Sequence, residues 1–457
     1  MNWLKPILAA GALLYTGLAS ALTPCYLPGL AERVECGIVH VPEDRAKPTG
    51  RRIAIHFARV PATARPAAPD PLLVLAGGPG QGAMDYGALV STTFGQVRKR
   101  RDIVLIDQRG TGRSGALACA LSHGAMGKGD IGAVQAELRI CLAGLKADPR
   151  HYHTSAALPD FEAVREALGY ASVNLWGGSY GTRTALLYAR HYPERIRSMV
   201  LDSVAAPETR ILLSSRHSQA ALERMLGDCK AEPACAQAYP NLARELEQVL
   251  AMASIGAYSR QEFVQLLRGA LYDPTQASVL PYAIHAAAQG RTRPLKGFLD
   301  AVVSWSVDTM KLGMTFSAMC TEEAPYLDRA SMNADAQGSV FGDGYAHTWR
   351  EWCRVWPAAS PAPGFAKPVA SAVPTLLFAG GIDPVTPPAA ARAAARSLSR
   401  SQVLVAPNAS HTFTATGCAP RLTADFIERP DPAAIDGACL AGISRPPFVL
   451  ADGQGRL

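Results

Sequence analysis

The pentapeptide Gly177-Gly178-Ser179-Tyr180-Gly181 has the spacing G-x-S-x-G. It follows a short apolar run at residues 173–176 and precedes a helical stretch at 182–191. A strand, a sharp turn and a helix in that order hold a serine hydroxyl exposed above a sheet, and glycines flank it because side chains would strike neighbouring backbone. A serine hydroxyl is a weak nucleophile near neutral pH; it needs a base, and the base needs a carboxylate to orient it. Two later segments supply both, in the chain order Ser, Asp, His. Asp383 follows an apolar run at 375–378 and His411 follows another at 403–405, so each stands on a loop just past a strand end. Catalytic groups collect at that edge of an open parallel sheet. The expected catalytic set is Ser179, Asp383 and His411, and its chemistry is acyl transfer.

A further segment, Leu75-Ala76-Gly77-Gly78-Pro79-Gly80, follows the apolar run at 72–76. Glycines there let backbone approach a substrate, and the N–H of Gly78 is expected to join that of Tyr180 as an oxyanion hole. Gly110-Thr111-Gly112-Arg113-Ser114-Gly115 matches G-x-G-x-x-G, the spacing of a dinucleotide-binding turn. Residues 116–129 carry glycines and a cysteine instead of opening a helix, and Asp130 comes too early for the acidic partner. No nucleotide or other cofactor is expected. His151-Tyr152-His153 has no further ligands around it and reads as a surface strand or loop, so no metal is expected either. Trp349, Trp352 and Trp356 fall at i, i+3 and i+7, one helical face that reads as core packing.

These groups need a scaffold that brings strand ends together. Runs at 72–76, 103–106, 173–176, 199–201, 375–378 and 403–405 are too short for helices and bounded by turn residues, as strands buried on both faces are. Helical stretches alternate with them at 160–168, with Asp160 as N-cap, at 182–191 and at 389–398. With shorter strands at 37–42 and 52–60 and a Pro/Ala-rich connector at 61–71, the pattern is that of a mostly parallel α/β sheet. Between residues 206 and 370 helical periodicity takes over, at 218–226, 241–251 and 262–271. That stretch reads as a helical cap inserted between strands six and seven, dividing the core into 22–205 and 371–457.

The chain has 457 residues, 48% hydrophobic and 18% charged, which excludes wholesale disorder and fibrous architectures. Its net charge of +7 has no long basic block; the densest run, Arg98-Lys99-Arg100-Arg101, has no interleaved aromatics, so no nucleic-acid partner is expected. Residues 1–21 read as an export signal: Lys5, an apolar stretch at 7–18 and Ala19-Ser20-Ala21. The stretch is too short to span a bilayer, and no membrane association is expected after its removal. An even count of ten cysteines without a Cys-x2-Cys pair favours disulfides over metal sites; sequence alone leaves the connectivity open, and the working expectation joins sequential neighbours, 25–36, 119–141, 229–235, 320–353 and 418–439. The expectation is a secreted or periplasmic bacterial protein.

Taken together, these segments resemble the α/β-hydrolase peptidases that include proline iminopeptidase and the secreted tripeptidyl aminopeptidases. The likeness runs through Cys36-Gly37, Val41-Pro42, Gly77-Gly78-Pro79-Gly80, Asp107-Gln108-Arg109-Gly110-Thr111-Gly112, Asp160 to Arg165, Gly178-Ser179-Tyr180-Gly181, Cys320-Thr321-Glu322-Glu323 and the loops of Asp383 and His411. It implies an α/β-hydrolase fold and cleavage of peptides from a free N-terminus without metal or cofactor. It also implies that Glu322 or Glu323 binds the substrate's α-ammonium. The chain departs from many of these relatives at Ala76, where they have His, and at Ser410, where they have Gly. A carboxylic ester hydrolase, or a non-catalytic binding protein on the same fold, are the alternatives the residues leave open.

Overall fold

The computed structural model describes residues 22–252, 254–255, 258–298 and 310–450; the expected export signal lies outside them. The strands are β1 (Thr23–Leu27), β2 (Leu30–Pro42), β3 (Arg52–Val60), β4 (Leu72–Leu75), β5 (Ile103–Ile106), β6 (Val173–Gly178), β7 (Ile196–Asp202), β8 (Ser254–Ile255), β9 (Tyr258–Ser259), β10 (Thr375–Gly380) and β11 (Ser401–Ala406). Nine of them make one sheet, in the order β1-β2-β3-β5-β4-β6-β7-β10-β11. From β5 through β11 every pairing is parallel, and β1, β2 and β3 continue the sheet antiparallel.

The apolar runs are apolar throughout because both faces of the sheet are covered. Leu73 and Leu75 of β4, Val104 and Ile106 of β5 and Leu377 of β10 point to one side, against Phe161, Leu186 and Ala391 from helices. Their neighbours Leu72, Val74, Ile103, Leu105, Leu376 and Phe378 point to the other, against Phe94, Leu422 and Phe426. Strand period two sends alternate residues to opposite faces, and each fully buried Leu or Phe stabilises by roughly 1.5–3 kcal/mol.

Two local expectations change. The structure starts β2 at Leu30 and adds β1 before it; these edge strands mix polar and apolar residues, so no apolar run announced them. Asp160 is no N-cap: the helix begins at Thr154 and continues through Pro159, and Asp160 is buried inside it. There it receives the Arg109 guanidinium at 2.6 and 2.9 Å, fixing the loop after β5 to this helix.

All five cysteine pairs are joined as sequential neighbours, and an oxidising extracellular or periplasmic compartment fits that number of bridges. Among the described residues no helix is long and apolar enough to cross a membrane.

Between β7 and β10 the described chain is helical apart from the β8–β9 hairpin. The helices Ser215–Ala231, Leu242–Ala251, Arg260–Ala270 and Pro274–Ala288 share one apolar cluster. The helix Leu312–Glu322 has its own: Phe316 packs on Trp349, Trp352 and Trp356 at 5.0, 6.0 and 5.7 Å between ring centroids. The tryptophans do pack in a core, although the helix carrying the first two ends at Trp352 and Trp356 lies beyond it.

Candidate active site

Parallel strands deliver their carboxyl ends to one edge. Ser179 follows β6, Asp202 ends β7, Asp383 follows β10 and His411 follows β11, while residues 76–82 leave β4 at the same edge. Ser179 has φ +54° and ψ −121°, a left-handed backbone that costs a side-chain-bearing residue energy. The turn holds it there: Ser179 N–H donates to Asp202 O at 2.8 Å, and the helix Tyr180–His191 starts at once. A Cβ on Gly181 would strike the Leu75 carbonyl, so glycine lets that helix pass directly under β4.

The side chains meet across 232 residues of sequence. Ser179 Oγ lies 2.8 Å from His411 Nε2, and His411 Nδ1 lies 2.8 Å from Asp383 Oδ2. Asp383 Oδ1 accepts the Val385 and Thr386 backbone N–H groups at 2.9 Å each, and Oδ2 accepts Thr386 Oγ1 at 2.7 Å. Burial pushes the Asp383 carboxyl up, but the His411 charge and the hydrogen bonds of His411 and Thr386 outweigh it and bring it to about 2. Burial likewise pushes His411 down; the Asp383 charge and hydrogen bond win, and the imidazole titrates above its ordinary value.

Other residues support this arrangement that sequence reasoning missed. Asp202 is buried and accepts Thr414 N–H at 2.9 Å and Thr414 Oγ1 at 2.7 Å, and Ser203 Oγ accepts Thr412 N–H at 2.8 Å. Together they clamp the loop that carries His411. Asp202 stands at a strand's carboxyl end, the same signal that singled out Asp383. Tyr272 packs edge-on to the His411 ring at 5.0 Å; it comes from the helical insertion, and nothing local marked it.

The loop of Gly77 to Gly80 crosses Ser179, and a Cβ on Gly77 would fall 3.4 Å from Ser179 Cβ. The insertion anchors this loop through Thr315 Oγ1 donating to Pro79 O at 2.7 Å and Lys311 N–H donating to Gly80 O at 2.9 Å. The Gly77 N–H is taken by the Tyr86 hydroxyl at 3.3 Å. The Gly78 N–H has no backbone acceptor among the described residues, and the Tyr180 N–H, first in its helix, has none within it.

The glycines of 110–115 do not cradle a phosphate. Gly112 packs on Asp107, whose carboxylate accepts Met84 and Arg113 N–H groups at 2.9 and 2.8 Å and would collide with a Cβ there, while Gly110 lies against Tyr152 and Met314. Tyr152 of the His-Tyr-His segment is not at the surface either; it is buried and donates to Glu43 Oε1 at 2.6 Å.

Glu322 and Glu323 require a correction. Their exposures are 1% and 0%, and both are held by Arg183, which is itself buried. Arg183 Nη1 reaches Glu322 Oε2 at 3.3 Å and Nη2 reaches Glu323 Oε1 at 2.6 Å; Glu322 Oε1 also accepts Thr154 N–H and the Tyr180 hydroxyl at 2.7 and 3.1 Å. Arg210 Nη1 stands 3.8 Å from Glu323 Oε1 as a second cation, so the two buried carboxylates face two guanidiniums and not solvent. Their place is structural: they join the helix Leu312–Glu322 to the helix behind Ser179. Arg183→Met leaves buried Glu322 without its cation and Glu323 with only the longer Arg210 contact, and is expected to lower unfolding stability by about 3–5 kcal/mol. Urea unfolding checks this; a loss under about 1 kcal/mol would contradict the assignment.

Comparison with known proteins agrees with this architecture. The profile of the alpha/beta hydrolase fold family matches residues 70–416. The tripeptidyl aminopeptidase of Streptomyces lividans is 29% identical over 204 residues, 39% of this chain and 36% of that protein. Serine protease Hip1 of Mycobacterium tuberculosis is 27% identical over 226 residues, 44% of this chain and 42% of that one. Proline iminopeptidase of Neisseria gonorrhoeae is 32% identical over 136 residues, 29% of this chain and 32% of that one. The alignments thus span less than half the length of these relatives. With a family match over most of its length and the sheet order described above, the chain belongs to the α/β-hydrolase fold family.

Proposed function

We propose that this protein is an exported serine hydrolase that releases a proline or a short di- or tripeptide from the free N-terminus of peptides. The observation that carries the reading is the hydrogen-bond chain from Ser179 through His411 to Asp383, 2.8 Å at both links. Ser179 Oγ attacks the scissile carbonyl carbon as His411 Nε2 takes its proton. The N–H groups of Gly78 and Tyr180 receive the oxyanion, each worth about 3 kcal/mol. His411 then returns the proton to the leaving amine, and the acyl-enzyme is hydrolysed by water with His411 again as base. Asp383 keeps Nδ1 protonated and stabilises the imidazolium. The peptide assignment draws on the peptidase relatives and their printed names.

One observation favours a second reading, hydrolysis of carboxylic esters. Glu322 and Glu323 are committed to Arg183, which removes the two residues the resemblance assigned to the substrate ammonium. The deciding measurement compares prolyl and tripeptidyl anilides with free and acetylated N-termini, beside a p-nitrophenyl ester. The expected result is a preference for the free amine of at least on the order of 100-fold, with groups other than Glu322 and Glu323 receiving the ammonium, since a site that pairs with a polar group rejects its blocked analogue. Ester hydrolysis without anilide cleavage would replace the first reading by the second. Equal rates on free and blocked anilides would keep the peptidase and remove the N-terminal specificity.

A further inference from the structure

Among the described residues five arginines are buried: Arg101, Arg109, Arg165, Arg183 and Arg268. The first four each pair with a carboxylate, respectively Asp70, Asp160, Glu162, and the Glu322–Glu323 pair. Arg268, 8% exposed, pairs with none of the described acids. Its Nε donates to Ser214 Oγ at 3.2 Å, and neither terminal nitrogen donates to a described residue. The two carboxylates whose charge reaches it are occupied, Asp335 by Ser215 N–H and Asp383 by His411. The guanidinium is stacked on aromatic faces instead, with Cζ 4.0 Å from the Tyr345 ring centroid and 5.6 Å from that of Tyr272. Stacking offsets part of the cost of burying a cation and fixes its plane, but leaves the terminal fork, the part suited to a bidentate oxyanion, unused.

Its location gives that fork a use. Tyr272, whose face Arg268 covers, packs edge-on to the His411 ring, so guanidinium, phenol and imidazole form one chain of contacts. In acyl transfer His411 Nε2 must protonate the leaving group, so the leaving part of the substrate lies on the imidazole side of Ser179. Tyr272 and Tyr345, whose hydroxyls also have no described partner, belong to the same cluster and offer further donors.

We propose that Arg268, held between Tyr272 and Tyr345, is a carboxylate-binding subsite for the leaving portion of the substrate. This deepens the serine hydrolase reading of the site and rests on it. A carboxylate there has two sources, the free C-terminus of a short peptide or an acidic side chain just after the scissile bond.

The test uses the full chain and reads ratios of kcat/KM within matched pairs. One pair of free-amine peptides ends in a carboxylate or a carboxamide; a second, amide-capped pair carries Glu or Gln after the scissile bond. A third pair, O-acetylglycolate and O-acetylglycolamide, puts the same change on an alcohol leaving group. The expected result is a preference of on the order of 30-fold for the carboxylate in at least one pair, and the responding peptide pair identifies the source. In Arg268→Gln that ratio falls toward one, and in Arg268→Lys, which keeps the charge but not the fork, it lies between. Melting curves of both variants verify folding, and the lysine variant serves if the glutamine variant is unstable. A ratio near one in all pairs for the unmodified protein overturns the proposal. So does a ratio that survives Arg268→Gln, whatever happens to the absolute rates, because Arg268 would then act only in packing. If neither peptide is cleaved while the ester pair keeps its Arg268-dependent ratio, the peptidase reading fails and the subsite stands.

Discussion

Ser179→Ala is expected to lower kcat about a million-fold on every substrate the enzyme accepts, and to leave the fold intact. The attacking oxygen is the first link of the relay to His411 and Asp383, and members of such a relay act as a unit, so losing this one forfeits nearly the whole contribution of the set. What survives comes from the oxyanion donors and from substrate binding. The structural cost is small. The substitution removes one hydrogen bond, to His411, worth about 1 kcal/mol, and the strained backbone at φ +54° is as strained for alanine as for serine. Single-turnover assays with circular dichroism and a melting curve check both halves. Retention of more than about 1% of activity would dismiss Ser179 as the nucleophile, and loss of the melting transition would show that the serine serves the fold. Labelling by a fluorophosphonate probe, present in the unmodified protein and absent in the variant, gives the same answer without a substrate.

Asp383→Asn is expected to lower kcat by about 10⁴ and to move the acid limb of the pH profile. Asparagine keeps the volume and can accept from Thr386, but it no longer imposes the tautomer with Nδ1 protonated. The pH effect has a definite sign. His411 must be neutral to take the serine proton, so kcat/KM falls as pH drops through its pKa in the free enzyme. With Asp383 ionised that pKa lies above the ordinary histidine value, because the carboxylate's charge and hydrogen bond outweigh burial. With the charge gone, burial is the largest remaining influence and pushes the imidazole down. The limb therefore shifts toward lower pH in the variant, while the plateau drops. A limb that stays in place would mean that another acid, Asp202 first among them, sets the titration of His411. The same carboxylate carries a stability consequence. Its pKa is depressed to about 2, so it contributes stability that is present above about 3.8 and lost as pH falls toward 2; in Asp383→Asn that acid-labile part is missing.

The buried strands of the sheet and the place of Ser179, Asp383 and His411 at their ends are legible in the residues alone, whereas the pairing of the ten cysteines, expected between neighbours, is established by the structure. The first two rest on signals confined to a few residues. A run such as Leu72–Leu75 is apolar because helices cover both faces, and G-x-S-x-G is the requirement of a turn that a side chain would block. Parallel strands then force the loops after β6, β10 and β11 to one edge, so topology alone gathers groups 232 residues apart. The bridges close short loops, between 6 and 33 residues in separation, so neighbours in sequence are neighbours in space.

What the buried charges do is set by packing between distant parts of the chain. Whether Glu322 and Glu323 meet a substrate or an arginine depends on Arg183, 139 and 140 residues away on another helix, and no local pattern encodes that meeting. Asp160 looked like a cap because it precedes an apolar helical stretch; Arg109, from the loop after β5, makes it an anchor inside the helix. Asp202, from β7, and Tyr272 and Arg268, from the insertion, come to the edge that carries Ser179 and His411 through contacts between residues far apart in the chain. A carboxylate or guanidinium in a low-dielectric interior takes its role from the charge beside it, and that neighbour is chosen by packing, not by spacing.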